Sequence, residues 1–203
     1  MVGVTVINET ADVDSTAEIG DGCRIWHLAQ IRERAVLGKG CVIGRGAYIG
    51  SGVQLGDHVK VQNYALVYEP AVIGDGVFIG PGVVLTNDRN PRATSPSGDP
   101  KSTFDWVAEG VRISNGASIG AQSVILAGTV IGAWAMVGAG SVVLRDIPNH
   151  ALVVGNPAQQ IGWVSRSGRR LVESDSGWSC LETGERYRLE GTELTYAGSD
   201  SAL

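Results

Sequence analysis

An aliphatic residue recurs at every sixth position from Ile7 to Leu85 without a miss: Ile7, Val13, Ile19, Ile25, Ile31, Leu37, Ile43, Ile49, Leu55, Val61, Val67, Ile73, Ile79 and Leu85. A small or short apolar residue follows four positions later, as in Ala17, Cys23, Ala29, Ala35, Cys41, Ala47, Val53, Val59, Ala65 and Ala71. A period of six matches neither the 3.6-residue helical repeat nor plain strand alternation. Short strands joined by tight turns do produce it. The recurring Ile-Gly-x-Gly units at 19–22, 43–46 and 79–82 put permissive residues where the chain must bend. These Gly pairs recur with the hexad and precede no helix, so they do not read as a dinucleotide-binding loop.

The rhythm breaks in the stretch VFIGPGVVLTNDRNPRA, residues 77–93, and resumes in a shifted phase at Val107, Ile113, Ile119, Ile125, Ile131, Val137 and Val143. The segment from Asn87 to Trp106 is therefore expected to be a loop inserted into one continuous repeat, rather than a linker between domains.

Composition narrows the function classes. The 203 residues are 43% hydrophobic, enough for a sizeable core. Sixteen Lys and Arg against 21 Asp and Glu leave a net charge of -5, which offers no overall field for nucleic acid or an anionic membrane. The opening MVGVTVINET has no basic region followed by a long apolar run, and the expected location is cytoplasmic, without membrane insertion. Cys23, Cys41 and Cys180 show neither C-x-x-C nor metal-ligand spacing, so neither disulfide framework nor metal site is expected. Cys23 and Cys41 fall on small repeat positions and are expected to fill the core.

These hexads resemble the hexapeptide-repeat acyltransferases. The resemblance implies an all-β fold, a left-handed parallel β-helix of about seven coils, three hexads to a coil, with one inserted loop and a short C-terminal β extension. The β-helix domain is expected over 1–162. Residues 163–203, with Trp163, Trp178, Cys180 and Tyr187 around the ETGE turn, are expected to form a hairpin used in assembly. The family also implies a homotrimer.

With three hexads per coil, residues eighteen apart stack. Hexads that abandon glycine then fall into shared columns: IWHLAQ (25–30) with VQNYAL (61–66), and IRERAV (31–36) with VYEPAV (67–72) and LTNDRN (85–90). Trp26, His27, Arg32, Glu33, Gln62, Asn63, Tyr68, Glu69, Asn87 and Asp88 are expected to gather along one side of the prism. Of these, Arg32, Glu33, Asn63, Tyr68, Glu69 and Asp88 are candidate substrate ligands.

The motifs IWHLAQI, VQNYALVYEPAVIGDGVFIGPGVVLTNDRNPRA, VVGNPAQQIGW and GWSCLETGERY look most like the sugar-nucleotide 3-N-acetyltransferases, of the UDP-2-acetamido-3-amino-2,3-dideoxy-glucuronate N-acetyltransferase type. That resemblance implies transfer of an acetyl group from acetyl-CoA to the 3-amino group of a nucleotide-linked sugar in surface-polysaccharide synthesis. It also implies that Asn87 holds the amine. An amine needs alignment more than deprotonation by a strong base, and His27 is kept as a second catalytic candidate, base or ligand. CoA is expected along the outside of the helix, with Gly120, Gly138 and Arg145 as contacts and Asn156 and Pro157 of the GNPA motif near its adenosine end.

Two other classes share this scaffold. An O-acyltransferase would need His27 as general base. A γ-type carbonic anhydrase needs three convergent histidines, and His27, His58 and His150 occupy non-equivalent turn positions; ice-binding Thr ladders are absent from the sequence.

Overall fold

The computed structural model describes residues 3–174 and 177–199. Two-residue strands stack in parallel, in register and eighteen residues apart, as in Val6↔Arg24, Lys60↔Phe78 and Tyr48↔Leu66. They build three flat faces. Face I runs from Val6–Ile7 through Arg24–Ile25, Val42–Ile43, Lys60–Val61, Phe78–Ile79, Ser118–Ile119 and Met136–Val137 to Ala151–Val154. Face II runs from Asp12–Val13 to Val142–Val143, and face III from Glu18–Ile19 to Val130–Ile131. The second residue of each pair points inward, and Ile31, Ile43, Ile49, Ile79, Leu85, Ile119, Ile125 and Ile131 are fully buried. Each such side chain contributes about 2 kcal/mol relative to exposure.

The small inward residues fill the corners between faces. Cys23 and Cys41 are among them, and each thiol donates to the carbonyl of a glycine one coil on, Gly38 and Gly56, both at 3.2 Å. Burial pushes the Cys41 thiol up to about 12, so neither reactivity nor metal binding is served there.

Face I carries eight parallel strands, one more coil than the hexads indicate. The eighth strand escapes the pattern because Ile147 bridges Ile131 and Val153 stacks on Val137 only sixteen residues apart. The corner at Leu144–Asp146 is two residues short. At the break, Ile113 stacks on Ile73 forty residues later instead of eighteen. Val107 is not a repeat position; it is 82% exposed within the loop. The repeat resumes at Val111 and Ile113, which are buried. The loop neck closes where Glu109 N donates to Asn87 O (2.9 Å) and Arg89 pairs with Glu109 (3.1 Å).

Several corners use the left-handed backbone region that favours glycine. Gly76 and Gly116 occupy the same turn position one coil apart, at φ +64° and +70°. A Cβ on Gly76 meets nothing within 4 Å, whereas one on Gly116 would strike the Trp134 ring of the next coil. Gly76→Ala is expected to cost about 1 kcal/mol from backbone strain alone. Gly116→Ala is expected to cost about 1 to 2 kcal/mol more, as the indole is displaced. Urea unfolding of the two variants measures the difference, and equal losses would show that Trp134 does not pack there.

The C-terminal region is a four-stranded antiparallel sheet, Val172–Ser174, Gly177–Ser179, Glu185–Glu190 and Glu193–Ser199, where the sequence suggests only a hairpin. Its buried Tyr187 lies edge-on to His150 of the last coil, 4.9 Å between centroids. The Tyr187 hydroxyl accepts from Arg166 N (2.9 Å) and donates to Glu185 (3.0 Å), and Glu185 pairs with Arg166 (3.0 Å). Burial lowers the pKa of His150, whose Nδ1–H donates to Val164 O. Among the described residues no helix is long and apolar enough to cross a membrane.

Candidate active site

The glycine-free turns occupy two corners, one at each edge of face II. Trp26-His27-Leu28 and Gln62-Asn63-Tyr64 leave face I and lie at the I–II corner. Arg32-Glu33-Arg34, Tyr68-Glu69-Pro70 and Thr86-Asn87-Asp88 leave face II and lie at the II–III corner. The expected single groove is thus two parallel columns, separated by the width of face II.

Height along the axis separates the candidates further. Asn87 belongs to coil 5 and Glu69 to coil 4 directly below it, while His27, Arg32 and Glu33 belong to coil 2. Three coils at about 4.8 Å each put His27 and Arg32 roughly 14 Å along the axis from Asn87. His27 stacks beside Trp26 (centroids 6.5 Å, 15°), and its Nε2 accepts from Asn8 Nδ2 at 3.1 Å. In the neutral ring that bond places the proton on Nδ1. Arg32 spends its guanidinium on Glu33 in two hydrogen bonds, 2.7 and 3.3 Å, and the nearer contact holds the Glu33 carboxyl below the usual carboxylate range.

Asn87 and Glu69 meet. Asn87 Nδ2 donates to Glu69 O at 2.9 Å, and Asn87 Oδ1 accepts no hydrogen bond from any described residue. Glu69 Oε2 is buried and has no hydrogen-bond partner among the described residues. Its carboxylate fits because the turn one coil below begins with Gly50; a Cβ on Gly50 would strike Glu69 Oε2. A buried carboxylate oxygen without a donor is costly. That oxygen lies over Gly50 in coil 3, while Asn87 Oδ1 is left open in coil 5, on the other side of Glu69.

The neighbours fix that pair. Tyr68 leans on Tyr48, 5.2 Å between ring centroids, and burial raises the Tyr48 hydroxyl pKa. Thr86 clips coil 5 to coil 6, its hydroxyl donating to Ile125 O (3.1 Å) and accepting from Ala127 N (2.9 Å). Asp88 accepts from Asn90 N (2.8 Å) and turns the chain into the loop. Tyr48 and Gly50 escape sequence reasoning because one is an outward strand position and the other an ordinary repeat glycine. Their signal is positional: Tyr48 stacks under Leu66 and Gly50 under Tyr68, one coil below the Tyr68-Glu69 turn.

The candidate donor residues lie higher. Gly120 and Gly138 begin the I–II turns of coils 6 and 7, and Gly155-Asn156-Pro157, with a cis Asn156–Pro157 bond, caps the same corner in coil 8. Arg145 stands at the II–III side, its guanidinium donating to Gln159 at 2.7 Å. Among the described residues no three His, Cys, Asp or Glu side chains converge as a metal site.

A dTDP-3-amino-3,6-dideoxy-α-D-galactopyranose 3-N-acetyltransferase of Aneurinibacillus thermoaerophilus is 53% identical over 76 residues, 37% of this chain and 39% of that protein. Serine acetyltransferase 4 of Arabidopsis thaliana is 56% identical over 52 residues, 26% of this chain and 15% of that protein. These matches span two fifths or less of either relative's length. A hexapeptide-repeat acetyltransferase of Vibrio cholerae O1 biovar eltor, solved with acetyl coenzyme A, superposes with TM-score 0.56 and 25% identity over 65% of this chain and 72% of that one. The bacterial transferase hexapeptide pattern of six repeats matches residues 16–51, 52–87 and 110–145, just over half the sequence, and its one gap is the inserted loop. With matched segments that coincide with the stacked coils, the chain belongs to the bacterial transferase hexapeptide family.

Proposed function

We propose that the protein transfers an acetyl group from acetyl-CoA to the 3-amino group of a nucleotide-linked sugar. The observation that carries this reading is Asn87 at the base of the loop: its Nδ2 is anchored on Glu69 O at 2.9 Å, and its Oδ1 has no donor among the described residues. That oxygen accepts an N–H from an amine and leaves the nitrogen lone pair free to attack. The similarity to the 3-N-acetyltransferase adds support, over two fifths of that protein.

The chemistry then needs little from the chain beyond alignment. The amine nitrogen, neutral when it reacts, attacks the thioester carbon; the C–N bond forms as the C–S bond breaks, and the proton lost by nitrogen ends on the departing thiolate. Asn87 Oδ1 orients the nitrogen, and the Glu69 backbone carbonyl holds the Asn87 amide in place. The turns at Gly120, Gly138 and Asn156–Pro157 form a column with no carboxylate along which a thin pantetheine arm approaches the backbone. Use of acetyl-CoA and a sugar nucleotide places the reaction in the cytoplasm.

The donor turns and Asn87 lie on opposite edges of face II, which favours sites shared between copies. Outward on that face, Tyr48, Leu66, Val84, Val124 and Val142 form an uncharged stripe through coils 3 to 7. A threefold arrangement with face II inward sets the I–II corner of one copy against the II–III corner of the next. This supports a homotrimer.

A thiol-release assay across UDP- and dTDP-linked 3-amino sugars tests the reading. CoA release is expected only with a 3-amino sugar nucleotide, and release with the 3-hydroxyl analogue would instead select O-acyl transfer. His27→Ala separates the same two classes, because a hydroxyl nucleophile requires a general base. With His27 three coils from Asn87 and its Nε2 held by Asn8, kcat is expected to stay within about threefold of wild type; a loss of 10²-fold or more would assign His27 as the base.

A further inference from the structure

The three corners of the solenoid differ in charge. The III–I corner stacks Asp21, Asp57 and Asp75, relieved only by Lys39. The I–II corner carries no Asp or Glu in its turns from coil 2 to coil 8. In coils 2 to 4 this corner and the adjoining strip of face I expose Arg24, Arg45 and Lys60, none of which forms an ion pair with a described residue.

Exposed aromatic rings share that strip. Trp26 is 47% and Tyr64 57% exposed. Neither ring is loose: Trp26 stacks on His27, and Tyr64, at φ 58°, lies over Gly46 with its hydroxyl accepting from Arg45 Nε at 3.1 Å. Below Trp26, a cleft of about 260 Å³ is lined by Val6, Asn8, Arg24, Ile25 and Trp26. Unpaired cations beside oriented, exposed aromatics form a site for a planar ring bearing phosphates.

We propose that this part of the I–II corner is the nucleotide subsite of the acceptor: a pyrimidine base enters the Trp26 cleft and its diphosphate lies on Arg45, with Lys60 adding charge. For the sugar end this rests on the function proposed above. The rungs set the scale, since from the Trp26 turn in coil 2 to the amine level in coil 5 is three coils, roughly 14 Å. That is the reach of an extended nucleoside diphosphate sugar from base to pyranose. The ribose lies between Trp26 and Arg45, and the sugar, beyond the diphosphate, passes Tyr64 and Asn63 in coil 4, while the donor comes down the same corner from coil 8. Donor and acceptor meet end to end at the Gly80-Pro81-Gly82 turn, without crossing.

UDP and dTDP are the probes, titrated calorimetrically into the 203-residue protein. Arg45→Ala and Tyr64→Gly are the variants; Tyr64→Gly keeps the fold, because glycine holds the same turn position at Gly46 and Gly82 with φ +60° and +66°. Each is expected to weaken UDP or dTDP by about tenfold or more. In turnover, each is expected to raise KM for the sugar nucleotide with kcat and the acetyl-CoA KM unchanged. Absence of nucleotide binding by the wild-type protein, or unchanged affinity in the double variant, overturns the subsite. Wild-type binding of UDP or dTDP, weakened in the variants but without acetyl transfer to any amino sugar, overturns the proposed reaction and leaves the subsite standing. Turnover with an unaltered sugar-nucleotide KM in both variants does the reverse.

Discussion

Asn87→Ala is expected to lower kcat about a hundredfold in the thiol-release assay with acetyl-CoA and the preferred amino sugar nucleotide, with the KM for acetyl-CoA unchanged. The size follows from what the side chain does. Its Nδ2 is tied to Glu69 O at 2.9 Å, so the amide plane is fixed before substrate arrives and Oδ1 is the only free acceptor it offers. Removing a fixed positioning contact misplaces the nitrogen by around 1 Å, and displacement of that size costs on the order of 10²-fold. The fold is not at stake, since Leu85 below and the Thr86 clip above retain their contacts. Asn87→Asp separates positioning from charge. A carboxylate there keeps an acceptor but loses the bond to Glu69 O and adds a negative charge beside Glu69, so recovery beyond a few per cent would show that the anchoring bond is dispensable. Turnover of Asn87→Ala within severalfold of wild type would remove the residue from the reaction.

Much of this architecture is legible in the sequence because a hexad repeat writes its structure directly. The inward aliphatic residue, the small corner residue and the turn glycine each have a fixed place, and the fold repeats them. The break at Asn87 is legible for the same reason. What the repeat hides is height. Columns eighteen residues apart superimpose His27 on Asn63 at one corner and Glu33 on Asn87 at the other, although coil 2 and coil 5 stand about 14 Å apart.

Local exceptions hide the rest. The shortened corner at Leu144–Asp146 conceals the eighth coil, because the pattern ends where the spacing drops from eighteen to sixteen. Attention to turns passes over outward strand residues, and with them Arg24, Lys60 and Tyr48. The C-terminal sheet depends on contacts between Arg166, Glu185, Tyr187 and His150, which have no period and form only once the solenoid end exists to receive them.

Mixing two inactive variants is expected to restore activity. In the proposed trimer each reaction site takes Asn87 from the II–III corner of one copy and the donor corner, at Gly120, Gly138 and Pro157, from its neighbour. Asn87→Ala disables the first half. Ala139→Trp, at an exposed turn position of the I–II corner in coil 7, blocks the second by filling the path of the pantetheine arm. Each homotrimer then lacks every site. In a mixed trimer a site is intact when its amine half comes from the Ala139→Trp chain and its donor half from the Asn87→Ala chain, which holds for one site in three whether the composition is 2:1 or 1:2. Co-expression with two different affinity tags, followed by sequential capture, isolates the mixed trimers and reads that fraction directly. Mixed trimers as inactive as their parents would mean that donor and amine meet within a single chain. Face II would then have to be crossed by the substrate itself, and its uncharged stripe from Tyr48 to Val142 would be a substrate path instead of a contact between copies.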